Sequence, residues 1–265
     1  MLNAKTVTLP RGPLGRAADI EVIRGGSEPA LVWLHGVRPP SSDDPLLQAL
    51  ALRFGVWAPV TPGLSDPEAL EPFATLHDLV LFYDAVLDAL GLSETILAGH
   101  GFGAMLAAEL AAHHPGRCTG LVLAAPLGLW NDAHPVEDLF ALPYGQIDEL
   151  LWRGAGARPE PAAGRQGEDA LEAYVAQANA LGAMAKYVWP IPDRGLVRRL
   201  YRISAPTLLL WGEADAFVPA AYAGDFAAGL ADSRAQLLKG GHMAVYERPV
   251  ETAQLISDFA AASGG

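Results

Sequence analysis

A glycine-rich turn in the middle of the chain carries the strongest chemical signal in this sequence. The apolar stretch Thr-Ile-Leu-Ala at 95–98 leads into Gly-His-Gly-Phe-Gly at 99–103, and an alanine-rich stretch follows. Glycines let a strand turn sharply into a closely packed helix. Such a turn can also present backbone N–H groups to a phosphate, so a nucleotide site is an alternative. The glycine spacing departs from the dinucleotide fingerprint and the turn lies mid-chain, which disfavours that alternative.

Acidic and imidazole side chains follow later apolar segments. Asp215 comes shortly after Thr-Leu-Leu-Leu-Trp-Gly at 207–212, and His242 stands in the loop Lys-Gly-Gly-His-Met. An imidazole oriented by a carboxylate can take a proton from a hydroxyl nucleophile or from water, as hydrolysis requires. Glu213, which is expected in solvent, and Asp132 are the other acidic candidates.

The elements that must position these residues alternate between strand and helix. Apolar segments predict strands at 19–23, 30–35, 56–60, 95–100, 120–125, 206–211 and 235–238. Apolar residues at helical spacing predict a helix over 76–90, which Thr75 precedes and Gly91 follows as capping residues. This alternation predicts an α/β fold with a mostly parallel sheet and helices on both faces.

The stretch 127–204 interrupts the alternation. It is rich in aromatic residues and has a polar middle with glycine and proline at 153–168. We interpret it as a helical cap with a mobile linker, inserted into a core formed by 1–126 and 205–265. The aromatic residues predict a pocket for an apolar or aryl-bearing small molecule, although about half of them are expected to pack the cap on the core. They are Trp130, Phe140, Tyr144, Trp152, Tyr174, Tyr187 and Trp189.

Composition limits the classes of partner. A net charge of −12 over 265 residues disfavours binding to nucleic acid. The single cysteine, Cys118, excludes an internal disulfide and is expected to be a buried apolar residue. No His, Asp or Glu cluster has metal-ligand spacing, and no cofactor is predicted. The sequence has no apolar leader and no membrane span, so we expect a cytoplasmic protein with a small-molecule ligand. Its oligomeric state stays open.

Taken together, the motifs resemble those of the α/β-hydrolase superfamily, in the capped group that includes esterases, lactonases and carbon–carbon bond hydrolases. The turn at 99–103 is similar to the family's G-x-S-x-G nucleophile elbow except in its middle residue, Gly101. The chain order of elbow, aspartate and histidine is also that of the family. The segment at 211–219 resembles the one in which the family keeps its triad acid, so we prefer Asp215 to Glu213 and Asp132. The resemblance implies a catalytic framework in which Asp215 orients His242 and Gly101 occupies the place of the serine nucleophile.

The resemblance also implies an oxyanion hole and a substrate pocket. The segment Leu-Val-Trp-Leu-His-Gly-Val at 31–37 is similar to the family's HG turn, so the expected oxyanion donors are the backbone N–H groups of Val37 and Phe102. Arg38, which follows this turn, could bind a carboxylate or lie in solvent, and we prefer solvent. The candidate substrate-binding residues are His35, Gly36, His100, Trp130, Phe140 and Met243.

Gly101 leaves three interpretations open, because a glycine cannot attack a carbonyl. The first is a disabled serine hydrolase, which explains why the surrounding motifs are all present. The second is a variant in which His242 acts as general base on a water molecule. The third is a ligand-binding or sensing protein that uses a hydrolase-like pocket without turnover.

Overall fold

An eight-stranded sheet forms the centre of the protein in the computed structural model, which describes residues 1–12, 15–63, 67–153, 168–191 and 193–263. The strand order is β1-β2-β4-β3-β5-β6-β7-β8. The β1–β2 and β2–β4 pairs are antiparallel, and the other pairs are parallel. The strands are β1 (Asn3–Leu9), β2 (Ala18–Gly25), β3 (Ala30–Leu34), β4 (Gly55–Pro59), β5 (Thr95–His100), β6 (Cys118–Ala124), β7 (Thr207–Gly212) and β8 (Ser233–Leu238).

The predicted α/β fold is confirmed. Strands β3, β5 and β7 are buried at every position, as parallel strands covered on both faces must be. All seven predicted strands are present, with ends shifted by at most two residues. Strand β1 was not predicted because most of its residues are exposed and polar, so it lacks an apolar signal. It pairs along its whole length with β2 at the edge of the sheet.

Helices pack in pairs along this sheet. They are α1 (Pro45–Ala51), α2 (Leu76–Leu90), α3 (Phe102–His113), α4 (Tyr144–Leu151), α5 (Glu168–Val188), α6 (Tyr222–Gly229), α7 (Ala244–Glu247) and α8 (Pro249–Ser263). Helix α3 packs on β5 and on α2, whereas α1 packs on α8. The predicted helix over 76–90 is confirmed. The Thr75 hydroxyl accepts from the Asp78 N–H, the Asp78 carboxylate accepts from the Thr75 N–H, and Gly91 ends the helix in the left-handed conformation.

Helices α4 and α5 lie between β6 and β7, in the stretch predicted to form a cap. The Lys186 ammonium of α5 donates to the Leu70 carbonyl at 2.7 Å, and the Tyr187 hydroxyl donates to the Phe73 carbonyl at 3.3 Å. Helix α5 is therefore bonded to the segment before α2. Residues 154–167 of the predicted linker lie outside the described residues, and the division into core and cap stays a prediction.

Two further features bear on the class of protein. Cys118 is buried, as the sequence predicts, and burial raises the pKa of its thiol to about 12. No helix in the described ranges combines the length and apolar character needed to cross a membrane.

Candidate active site

The glycine-rich turn joins β5 to α3 at the carboxyl edge of the parallel strands. Gly101 stands between them with φ 55° and ψ −114°, a backbone conformation that side chains disfavour. Its N–H donates to the Ala124 carbonyl at 2.9 Å, and its carbonyl accepts from the Leu127 N–H at 3.2 Å. The strand therefore ends in a sharp turn that places residue 101 at the top of the sheet.

The flanking glycines allow this turn to pack closely. A Cβ atom on Gly99 would lie 2.5 Å from the Gly103 carbonyl oxygen. A Cβ atom on Gly103 would overlap with the Leu34 carbonyl at the end of β3. Because both obstacles are backbone atoms, larger residues at these positions would push the helix off the sheet.

Asp215 and His242 form a buried pair. Asp215 follows β7, and one carboxylate oxygen accepts from the Phe217 and Val218 N–H groups at 2.9 Å each. The other oxygen lies 2.9 Å from Nδ1 of His242, and both side chains are at most 2% exposed. An ionised carboxylate only accepts hydrogen bonds, so Nδ1 carries the proton of this contact, and in the neutral imidazole Nε2 then presents a lone pair. This arrangement suits a general base.

The free nitrogen of this pair faces the elbow. A Cβ atom built on Gly101 would lie 3.2 Å from Nε2 of His242 and 3.8 Å from Cε1. Apart from the chain neighbours of Gly101, no other heavy atom of the described residues lies within 4 Å of that position. The structure thus brings together the three positions predicted as catalytic.

The His35-Gly36 turn lies against the elbow. A Cβ atom on Gly36 would be 2.8 Å from the His100 carbonyl oxygen, so only glycine allows this approach. Val37 is half-buried and Phe102 is buried. In the described ranges, neither of their backbone N–H groups donates to a protein acceptor. Both groups remain available as hydrogen-bond donors, and that of Phe102 lies at the positive end of the α3 dipole.

His35 ties this turn to the rest of the sheet. Its Nε2 accepts from the Thr61 N–H at 2.9 Å, and its Nδ1 donates to the Gly36 carbonyl at 2.8 Å. The Thr61 hydroxyl lies 2.9 Å from both Nε2 and the Tyr83 hydroxyl. Burial lowers the pKa of His35 to about 4, so the ring is neutral at pH 7. The sequence analysis missed Thr61 and Tyr83, although Thr61 follows a predicted strand end, where site residues collect.

Two other predicted residues contact the His242 loop. His100 is fully buried, and its Nε2 lies 2.9 Å from the His242 carbonyl oxygen. Met243 is buried, and its N–H donates to the Leu151 carbonyl at the end of α4 at 3.1 Å. The loop is therefore held from the elbow on one side and from the predicted cap on the other.

The remaining predicted residues lie in the stretch after β6. Trp130 is 39% exposed, and its indole N–H donates to the Asp132 carboxylate at 2.7 Å. Phe140 is partly buried and packs against the core. Asp132 thus contacts Trp130, whereas Asp215 holds the histidine. Glu213 is exposed, as the sequence predicts.

Arg38 is less exposed than the sequence predicts, and that expectation is wrong. Its guanidinium pairs with the Asp44 carboxylate at 3.3 Å and lies over the Tyr246 ring at 5.3 Å. Only 25% of its side chain is exposed. The contact between Arg38 and Asp44 could not be predicted from the sequence. Asp44 is also the N-cap of α1, and this role alone accounts for an aspartate at that position.

Metal chemistry finds no support in the described ranges. Within them, no group of three or more His, Cys, Asp or Glu residues is arranged to hold a metal ion.

The comparisons with known proteins agree with this fold. The alpha/beta hydrolase family profile matches residues 31–255, and the chain belongs to that family. It is 26% identical over 194 residues to the monoacylglycerol lipase abhd6-B of Xenopus laevis, a match that covers 62% of this chain and 53% of the relative. The chain thus spans about half the length of the curated relative it matches.

Solved structures show the same fold at low sequence identity. A bacterial membrane phospholipase A matches with a TM-score of 0.83 and 24% identity, over 100% of this chain and 87% of that one. The meta-cleavage product hydrolase CumD of Pseudomonas fluorescens IP01 matches with a TM-score of 0.73 and 16% identity, over 98% of each chain. Because one fold hosts many chemistries, these matches leave the bond cleaved to be argued from the site.

Proposed function

We propose that this chain carries the site of a serine hydrolase for small, largely apolar esters or related carbonyl compounds, with glycine in the nucleophile position. The observation that carries the proposal is the 3.2 Å between a Cβ built on Gly101 and Nε2 of His242, whose Nδ1 is bonded to Asp215. A serine oxygen, one bond beyond that Cβ, would be within hydrogen-bond reach of the base.

Each remaining part has a role in this proposal. His242 takes the nucleophile's proton and returns it to the leaving group, and Asp215 holds the imidazole in the required tautomer. The N–H groups of Val37 and Phe102 bind the oxyanion, each contributing roughly 3 kcal/mol of barrier lowering. Without a side-chain oxygen at 101, no acyl-enzyme forms. Loss of the nucleophile lowers the rate by about a millionfold in this type of site, leaving ~1,000-fold over water.

The substrate class rests on the lining and on the relative. Met243 adjoins His242 in the chain and Phe140 is a partly buried residue of the predicted cap, and we propose that both contribute to an apolar pocket for the substrate. The Xenopus laevis relative is named a monoacylglycerol lipase, which supports an ester substrate. We propose a small-molecule substrate and no cofactor.

Turnover of aryl esters tests this proposal. The chain, Gly101→Ser and Gly101→Ala are compared on a panel of p-nitrophenyl esters of increasing acyl length. We expect Gly101→Ser to hydrolyse short or medium esters at least ~1,000-fold faster than the other two proteins, since only it restores the oxygen. Equal rates for all three folded proteins across the panel would sink the proposal.

Water attack is a second candidate, favoured by the open position beside Nε2 of His242. In the described part of the chain, and apart from the chain neighbours of Gly101, only His242 atoms lie within 4 Å of the Gly101 Cβ position, so a water molecule can approach the base there. In this case the unaltered chain hydrolyses esters slowly, His242→Ala abolishes that activity, and Gly101→Ala reduces it by crowding the water. Ligand binding without turnover in any version would instead favour a sensing role.

A further inference from the structure

We propose that His100 is a positioning residue that holds His242 at the correct distance from residue 101. His100 is the last residue of β5 and is fully buried. Its Nε2 lies 2.9 Å from the backbone carbonyl oxygen of His242. This contact joins the residue before Gly101 directly to the residue predicted to be the base.

The hydrogen bond fixes the protonation of the ring. A carbonyl oxygen only accepts, so Nε2 of His100 carries the proton and donates it. Burial, together with the nearby His242, lowers the pKa of His100 well below its usual value of 6.5, so the ring stays neutral. Nδ1 is then a lone-pair acceptor, and it has no hydrogen-bond partner in the described part of the chain. The His100 ring therefore donates its one N–H proton, on Nε2, to the His242 carbonyl.

His100 also contacts the turn predicted to supply the oxyanion donors. A Cβ atom on Gly36 would be 3.4 Å from Nδ1 of His100 and 2.8 Å from its carbonyl oxygen. The one side chain therefore lies between the His35-Gly36 turn and the His242 loop, and its own backbone leads into the elbow. A residue in this place sets the relative positions of all three segments.

Two different contacts hold His242. Asp215 is hydrogen-bonded to Nδ1 and orients the imidazole ring. His100 is hydrogen-bonded to the His242 carbonyl and fixes the distance of the His242 backbone from residue 101. The rings of His100 and Phe217 pack on the His242 ring at centroid distances of 4.5 and 4.9 Å. Loss of the His100 bond lets the loop shift while the Asp215 bond persists. A displacement of about 1 Å lowers turnover by about 100-fold in a site of this kind.

The kinetic test rests on the proposed function and uses the Gly101→Ser protein. The amide nitrogen of glutamine reaches about as far as Nε2 of histidine, whereas that of asparagine stops near Nδ1. His100→Asn is therefore the matched control for His100→Gln, and His100→Leu removes the donor. We expect Asn and Leu to lower kcat by about 10- to 100-fold with KM little changed, and Gln to restore most of kcat. Equal kcat for Gln and Asn, or a change in KM alone, would overturn the proposal.

A second measurement needs no activity. In the unaltered chain we expect the proton on Nδ1 of His242, bonded to Asp215, to give a low-field resonance in one-dimensional proton NMR. We expect His100→Gln to keep this resonance and His100→Asn and His100→Leu to shift or broaden it. An unchanged resonance in folded Asn and Leu variants overturns the proposal. If those variants do not fold, the Gln variant decides, because loss of the resonance there contradicts a role for the donated bond.

The two measurements separate the proposals. If the resonance follows the donor at residue 100 but Gly101→Ser hydrolyses no ester, the positioning role stands and the proposed function fails. If Gly101→Ser is active and the resonance is the same in all variants of residue 100, the proposed function stands and the positioning role fails.

Discussion

The Asp215–His242 pair and the elbow at Gly101 face each other across a few angstroms and are built in opposite ways. The pair is held by side-chain and backbone hydrogen bonds on every side, including two N–H donors to Asp215 and one donor to the His242 carbonyl. The elbow holds its shape through backbone contacts, and its central residue contributes no side chain. The fold therefore preserves the geometry of the nucleophile position independently of the nucleophile.

The residues that the elbow needs for packing therefore differ from the residue at the nucleophile position. Gly99 and Gly103 are required for the backbone to pack, whereas a Cβ on Gly101 would meet a side chain, the His242 ring, at 3.2 Å and no backbone atom of another described segment within 4 Å. Glycine also relieves the strain that a side chain would meet at φ 55°. Replacement of serine by glycine at this position would remove reactivity without loosening the surroundings.

The largest effect is expected when the orienting carboxylate is altered in an active background. In Gly101→Ser, the change Asp215→Asn should lower kcat by about 10,000-fold, because an amide no longer enforces the required tautomer of His242. The two N–H groups that bond Asp215 can still bond the asparagine oxygen, so folding should persist. Steady-state kinetics on the best aryl ester, with circular dichroism as control, measures this. A fall of less than tenfold would mean that Asp215 is not the orienting acid.

Packing at the elbow should tolerate no side chain on its flanks. Gly103→Ala should lower the free energy of unfolding by about 3 kcal/mol or more, since the methyl group meets the backbone of β3. Gly224→Ala in α6 is the matched control, because a Cβ there meets nothing within 4 Å. It should leave stability unchanged or raise it by ~0.5 kcal/mol. Urea denaturation compares the free energies of unfolding of the two variants. Equal values would refute the close approach of Gly103 to the backbone of β3.

Acid should lower the stability of the folded chain through His35, which bonds within the His35-Gly36 turn. Its pKa is about 4 in the folded chain and 6.5 as the reference, so between these values the unfolded chain binds more protons and stability falls as the pH falls. The loss from His35 should reach about 2 kcal/mol between pH 7 and pH 5. Denaturation at both pH values measures the total change. His35→Gln, which cannot titrate, should reduce the difference, and an identical difference would contradict burial of a neutral His35.

The smallest effect concerns residue 101 itself. Gly101→Ala should lower the free energy of unfolding by about 1 kcal/mol, because alanine must adopt φ 55°. The effect should be smaller than that of Gly103→Ala, since only a histidine ring borders the new methyl group. Thermal unfolding of both variants in one buffer ranks them. A rise in melting temperature would show that the elbow backbone is not strained.

The sequence predicts the parallel core well because buried strands need continuous apolar runs, and β5 is predicted to the residue. The site motifs are equally readable because each follows a strand end. Strand β1 is missed since an edge strand need not be apolar. The bonds of Thr61 to His35 and of His100 to His242 are missed for another reason. They join segments far apart in the chain, and no local pattern encodes such pairs.

Covalent labelling tests most directly the claim that Gly101 occupies the nucleophile position of an otherwise assembled site. Gly101→Ser is treated with a fluorophosphonate, and the adduct is located by intact mass and peptide mapping. We predict one adduct, at residue 101, that is absent from the unaltered chain and strongly reduced when His242→Ala is added. Failure of the folded Gly101→Ser protein to form an adduct at residue 101, or equal labelling of the unaltered chain, would contradict the claim.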